Sequence, residues 1–134
     1  MPDGDDRRGF RLLSDAEYPI ASRAGVGTHH DFGTSPSLVP MYAHCGPFHP
    51  FKTVVAGLKP NDLGLFDTVG NVMEYTRSTS PEATDEKVAD LCGGYVLRVA
   101  HKVNCDMRLG PASVFVAGGT LFNGFRVART IAGP

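Results

Sequence analysis

The residue types of this 134-residue chain that could do chemistry are three cysteines, five histidines and 14 carboxylates. Cys45, Cys92 and Cys105 cannot all pair with one another, and none stands in a Cys-x-x-Cys motif of redox or zinc type. Unpaired cysteine behaves as a small hydrophobe, so the spacing points to buried thiols and a reducing compartment. One disulfide with a single thiol left over is the alternative. His29-His30-Asp31 invites a metal, but neighbouring side chains on an extended chain point to different sides and chelate poorly. His44 and His49 bracket Cys45, yet no second ligand pair at zinc-site spacing accompanies them. There is no phosphate loop and no Gly-x-Ser-x-Gly elbow, and Gly25-Val26-Gly27 lacks the later glycine of a dinucleotide fingerprint. These residues are therefore read as packing and loop positions.

The elements that must hold them are short. Ser14 and Glu17 stand three apart as a capping box, in which Ser14 accepts from the Glu17 amide and Glu17 reaches back. A helix is expected from Asp15 to about Arg23, bent or weakened by Pro19 and ended by Ala24-Gly25-Val26-Gly27. From His29 to Pro60 the chain is rich in proline and glycine without a sustained period and reads as an extended loop. Thr53-Val54-Val55-Ala56 is its one strand-like run, and Lys59-Pro60-Asn61-Asp62 reads as a turn. Ser80-Pro81-Glu82 supplies an N-cap, a first-turn proline and an acid, predicting a second helix to Leu91 that stops at Gly93-Gly94. Strands are expected at Tyr95 to Ala100, Ser113 to Ala117 and Phe125 to Ala128. The mixture predicts an α+β fold, with helices set against a short twisted antiparallel sheet.

Composition narrows the partners. With 13 basic and 14 acidic residues the formal net charge is −1, which offers no lure for nucleic acid or anionic membrane. No apolar run approaches the ~20 residues of a membrane span, and the acidic-then-basic start is not that of a signal peptide. The expectation is a cytoplasmic protein. Sixteen glycines and ten prolines exceed average usage and suggest a loop-rich domain. Residues 1–9 read as a tail and 10–134 as one domain.

Four segments, in order, resemble the formylglycine-generating-enzyme (sulfatase-modifying-factor) superfamily. They are Phe10-Arg11-Leu12-Leu13-Ser14-Asp15-Ala16-Glu17-Tyr18 through Arg23-Ala24-Gly25; Lys59-Pro60-Asn61-Asp62-Leu63-Gly64-Leu65-Phe66-Asp67-Thr68-Val69-Gly70-Asn71-Val72-Met73-Glu74-Tyr75; Tyr95-Val96-Leu97-Arg98; and Gly124-Phe125-Arg126-Val127-Ala128-Arg129. The second is the most specific, similar to Pro-Asn-x-x-Gly-Leu-Tyr-Asp-Met-x-Gly-Asn-Val-Trp-Glu-Trp. The resemblance implies a C-type-lectin-like fold with little regular structure. It also implies a structural calcium ion held by the side chains of Asp67 and Glu74 and the carbonyls of Gly70 and Val72, an oxygen set suited to a hard cation. Arg126, in the closing motif, is expected to form an ion pair under the last strand.

The chain departs from that pattern in three ways. The enzymes' copper-binding cysteine pair is missing: counted from Arg98, Asn104 and Leu109 fall at its positions, and sliding by one to use Cys105 then meets Gly110. One thiol does not rebuild a Cu(I) site. Relatives have a further N-terminal half, so the domain reads as truncated and something must cover the surface that half would bury. The Ser80–Leu91 segment replaces an irregular loop. The favoured function is a non-catalytic, protein-binding or structural subunit that docks onto a larger assembly through Val99 to Phe122 and the Met41 to Phe51 loop, with Phe48, Phe51 and Phe115 as contact residues. The alternatives are a retroelement-type variable ligand-binding receptor and a divergent metal-dependent oxidoreductase using Cys105 with His101.

Overall fold

The computed structural model describes residues 9–45, 52–79, 88–93, 108–109 and 123–131. The first ordered step is local. Ser14 Oγ accepts from the Glu17 amide at 3.1 Å and Glu17 returns a bond to the Ser14 amide at 2.8 Å, closing the expected box before helix α1 (Glu17–Arg23). Pro19 therefore lies in the first helical turn, where an amide lacks an intrahelical acceptor anyway, so its missing N–H costs α1 no hydrogen bond. Ala24 ends α1 in the left-handed region with its amide on Ile20 O. Arg11 clasps Glu17 with two bonds of 2.6 and 2.7 Å, and this guanidinium holds the Glu17 carboxyl down to about 2.

Strand β1 (Phe10–Leu12) runs into this corner, and a 3-10 turn (Pro36–Leu38) leads into a single-turn helix α2 (Val39–Tyr42). Beyond lie β2 (Met73–Arg77), β3 (Val88–Cys92), β4 (Arg108–Leu109), β5 (Asn123–Phe125) and β6 (Val127–Arg129). Two sheets result, one of order β4-β3-β2-β5 and one of β1 with β6. β2 is the keystone, antiparallel to β3 and parallel to β5. Its end is tied to the helix corner: the Arg77 amide donates to Leu13 O, the Asp15 amide donates to Arg77 O, and Asp15 Oδ1 accepts from the Thr79 amide and hydroxyl.

Three expectations are corrected. Val88 to Leu91 is strand, not helix, because β2 offers these residues a ladder of backbone partners, which overrides local helix signals; 80–87 lie outside the described residues. Thr53 to Ala56 is not a strand: it pairs with no strand among the described residues, and Ala56 turns the chain at φ 59°. Phe125 to Ala128 is two strands rather than one, since the chain leaves the large sheet for the small one at Arg126. The strands expected at Tyr95–Ala100 and Ser113–Ala117 lie outside the described residues.

Val39, Ala43, Cys45 and Val69 form one buried cluster with Phe32 packed against it, and Tyr18, Met73 and Cys92 are fully enclosed. The segment 68–71 threads through this core. The Thr68 carbonyl accepts from Tyr18 Oη and Ser22 Oγ, the Gly70 amide donates to Gly93 O, and the Asn71 amide donates to His44 O. Gly70 sits at φ 85° and a Cβ there would meet the His44 carbonyl oxygen at 2.5 Å, whereas Gly25, at φ 88°, has open space around it. Gly70→Ala is therefore expected to cost about 3 kcal/mol or more in chemical denaturation, and Gly25→Ala only the left-handed backbone strain of about 1–2 kcal/mol. Equal losses would show that the close approach to His44 does not matter. Among the described residues no helix is long and apolar enough to cross a membrane.

Candidate functional site

The motif between Pro60 and Tyr75 builds a connected site, beginning with Asn61. Its side-chain amide donates to the carbonyls of Ala21 and Ser22 at 2.8 and 3.2 Å, and its oxygen accepts from the amides of Leu63 and Leu65 at 3.0 Å each. The Asn61 amide and carbonyl are used as well, with Leu65 O and the Gly64 amide. A buried asparagine thus satisfies carbonyls left over at the end of α1 and holds the next loop in shape.

That loop delivers Phe66 and Asp67. Asp67 occupies the left-handed region at φ 54°, and its Oδ2 accepts from the Ala56 amide at 2.7 Å. Asn71, also left-handed at φ 57°, accepts from the Thr53 amide at 3.0 Å. Two side chains of the motif therefore anchor the 53–56 turn. Glu74 then points under the junction of β5 and β6, where Arg126 meets it with Nε at 2.8 Å and Nη2 at 2.7 Å. The same Nη2 donates to Phe66 O at 2.8 Å. The expected ion pair is present, and it fastens the place where the chain changes sheets.

Burial pushes the Glu74 carboxyl above its ordinary value, against the pull of the guanidinium; the charge of Asp67 adds to the rise. Desolvation of the carboxylate thus outweighs its pairing, as is common for enclosed ion pairs. Of the four residues expected to hold calcium, Asp67, Gly70 and Val72 lie in the loop that leads into β2 and Glu74 lies on β2 itself. Both Glu74 oxygens already face a guanidinium, so a calcium ion would have to take Glu74 from Arg126 or share it. Among the described residues no three His, Cys, Asp or Glu side chains come together as a metal cluster.

The other candidates separate. His30 stacks on Phe32 with ring centroids 4.8 Å apart and planes 6° from parallel, and Phe32 stacks on Tyr42; burial lowers the His30 pKa. His29 beside it is exposed. The Cys45 thiol is buried and its pKa raised by that burial, while Cys92 Sγ lies 3.7 Å from Thr76 Oγ1. Both are packing thiols. Phe48, Phe51 and Phe115 lie outside the described residues, as do His49, His101, Asn104 and Cys105.

An apolar face missed by the sequence reading stands on the small sheet. Phe10 pairs with Arg129 and Leu12 with Val127, which puts these four on one side of the ribbon. Phe10 is 76% exposed, Val127 55% and neighbouring Phe125 69%, and the Arg129 guanidinium lies over the Phe10 ring at 6.0 Å. The signal was available: strand alternation sends Phe125 and Val127 outward once Arg126 is assigned inward.

Residues 4–131 match the Sulfatase-modifying factor enzyme 1-like domain. The chain is 30% identical over 119 residues to the Inactive C-alpha-formylglycine-generating enzyme 2 of Bos taurus, covering 77% of this chain and 39% of that protein. Among solved structures, Treponema denticola variable protein 1 superposes with a TM-score of 0.74 at 23% identity, over 91% of this chain and 48% of that one. PvdO from Pseudomonas aeruginosa gives 0.71 at 20% identity, over 92% and 54%. CarF gives 0.65 at 27%, over 92% and 49%. The chain spans about half the length of these solved structures and less of the curated relative.

Proposed function

We propose, from the premise that this chain belongs to the sulfatase-modifying factor enzyme 1-like domain family and has its loop-rich α+β, C-type-lectin-like fold, that it serves as a non-catalytic protein-binding or structural module docking onto a larger assembly. The observation that carries this reading is the exposure of Phe10, Phe125 and Val127. Phe10 and Val127 share one side of the β1–β6 ribbon, and Phe125, at the end of β5 two residues before Val127, is exposed as well; exposed large apolar side chains of this kind mark interaction sites. The positions expected for the family's cysteine pair, Asn104 and Leu109, offer no thiolate for Cu(I), so the enzyme family's chemistry has no ligands there. A calcium ion at Asp67, Gly70, Val72 and Glu74 would have a bracing role in this module, since an oxygen-only site offers rigidity rather than redox chemistry.

The test is co-elution of the intact chain from native extract at fixed stoichiometry, compared with the double variant Phe125→Asp, Val127→Lys. Both side chains are exposed, so the variant is expected to fold with a melting temperature near that of the parent and to elute alone. Retention of the same complex by a folded double variant would remove the face from the argument. A parent that elutes only as a monomer would remove the docking role.

A further inference from the structure

Beside the Glu74–Arg126 pair lies a cavity of about 520 Å³, within the ~300–1,000 Å³ typical of ligand clefts. Val55, Phe66, Val72 and Phe125 form its apolar walls, and Asp67, Glu74 and Arg126 its polar side. The charges do not balance. Arg126 is committed to both oxygens of Glu74 and to Phe66 O, so the second carboxylate, Asp67, is left with one oxygen on the Ala56 amide and no cation of its own among the contacts described. The Asp67 charge acts on both members of the pair, which places all three groups within one electrostatic cluster carrying an excess of one negative charge.

An anion entering this cavity meets two carboxylates. A wholly apolar occupant shuts Asp67 away from water without compensation, which is costly for a charge. An occupant with an apolar stem and a positive head meets neither penalty: the stem covers Val55 and Val72, and the head faces Asp67 with aromatic rings beside it. Phe125 lines the cavity and is also exposed, two residues before the exposed Val127, so a polypeptide that covers Phe125 lies against the cavity wall.

We propose that this cavity takes a guanidinium or ammonium group on an apolar stem, presented as an arginine or lysine side chain by the polypeptide that docks over Phe125 and Val127. The inference rests on the docking reading for the source of the cation, and on charge complementarity for its chemistry.

The experiment titrates the isolated chain, in the presence of a chelator so that no metal competes, with N-acetyl-arginine methylamide and its uncharged citrulline counterpart. The methyl resonances of Val55 and Val72 report occupancy. The arginine probe is expected to shift these methyls and to bind about fivefold more tightly than citrulline, a preference that shrinks at high salt and vanishes in Asp67→Asn. Asparagine suits the left-handed backbone at this position and keeps an acceptor for the Ala56 amide, so this variant tests charge rather than folding. Equal binding of the two probes, or shifts away from the cavity, would overturn the proposed chemistry while the co-elution result for Phe125→Asp, Val127→Lys still stands or falls by itself. An arginine preference in a chain that forms no complex would overturn the assignment to a docked polypeptide and point to a free amine.

Discussion

Arg126→Met is expected to lose about 3–5 kcal/mol of stability at neutral pH, the usual consequence of leaving a buried carboxylate without its partner. Glu74 is buried, with Arg126 on both oxygens, and the variant strips away every charge-assisted bond it makes to that side chain. The double variant Glu74→Met, Arg126→Met is expected to recover most of the loss, because two apolar groups of similar reach replace two desolvated charges. Chemical denaturation of the parent, the two single variants and the double variant gives the coupling directly; an additive result would show that the pair does not act as a unit.

The same variant has a pH signature. Burial already holds the folded Glu74 pKa above its unfolded value, so its contribution is most favourable below the unfolded value near 4.5 and is lost as pH rises through the folded one. Removing the guanidinium raises the folded value further. Arg126→Met should therefore regain stability relative to the parent as pH falls from 7 towards 5. Millimolar calcium is expected to restore part of the loss in this variant, where Asp67 and Glu74 no longer face a competing cation, and to move the parent much less. No recovery in the variant would count against these oxygens as a calcium set.

The second large effect is expected at Asn61. Asn61→Asp preserves shape and turn preference but puts carboxylate oxygens opposite the carbonyls of Ala21 and Ser22, where the side-chain amide now donates. A loss of about 3 kcal/mol or more is expected, at least as large as that of Asn61→Ala, because unmade buried hydrogen bonds cost about 1–3 kcal/mol each. If turn propensity were the only role of this residue, aspartate would be the milder change, since it suits such turns nearly as well. Thermal or denaturant melts of the two variants decide between these accounts.

Several features were legible because their causes are local. The Ser14–Glu17 box needs only a three-residue spacing, and it formed with both bonds. The turn at Pro60-Asn61 and the loop-rich character followed from residue types. Other features had the right residues but a different cause. Gly93 was expected to stop a helix; instead a Cβ there would come within 2.4 Å of Tyr18 Oη, so its smallness lets β3 end against the tyrosine of α1. An ion pair at Arg126 was expected from the closing motif, but its partner Glu74, 52 residues away, was not, because nothing in either residue's neighbourhood names the other.

By itself, then, the sequence determined the capped start of α1 and the turn chemistry of the Pro60–Tyr75 motif. These depend on interactions spanning a few residues or on residue identity alone. The tertiary structure decided that Val88–Leu91 is strand rather than helix, that the chain changes sheets at Arg126, that Asn61 grips the end of α1 and that Phe10 and Val127 share one side of the β1–β6 ribbon. Each of these turns on groups that are not neighbours in the chain. Such groups exchange water for one another only after the fold has brought them together, so no local pattern carries their energy.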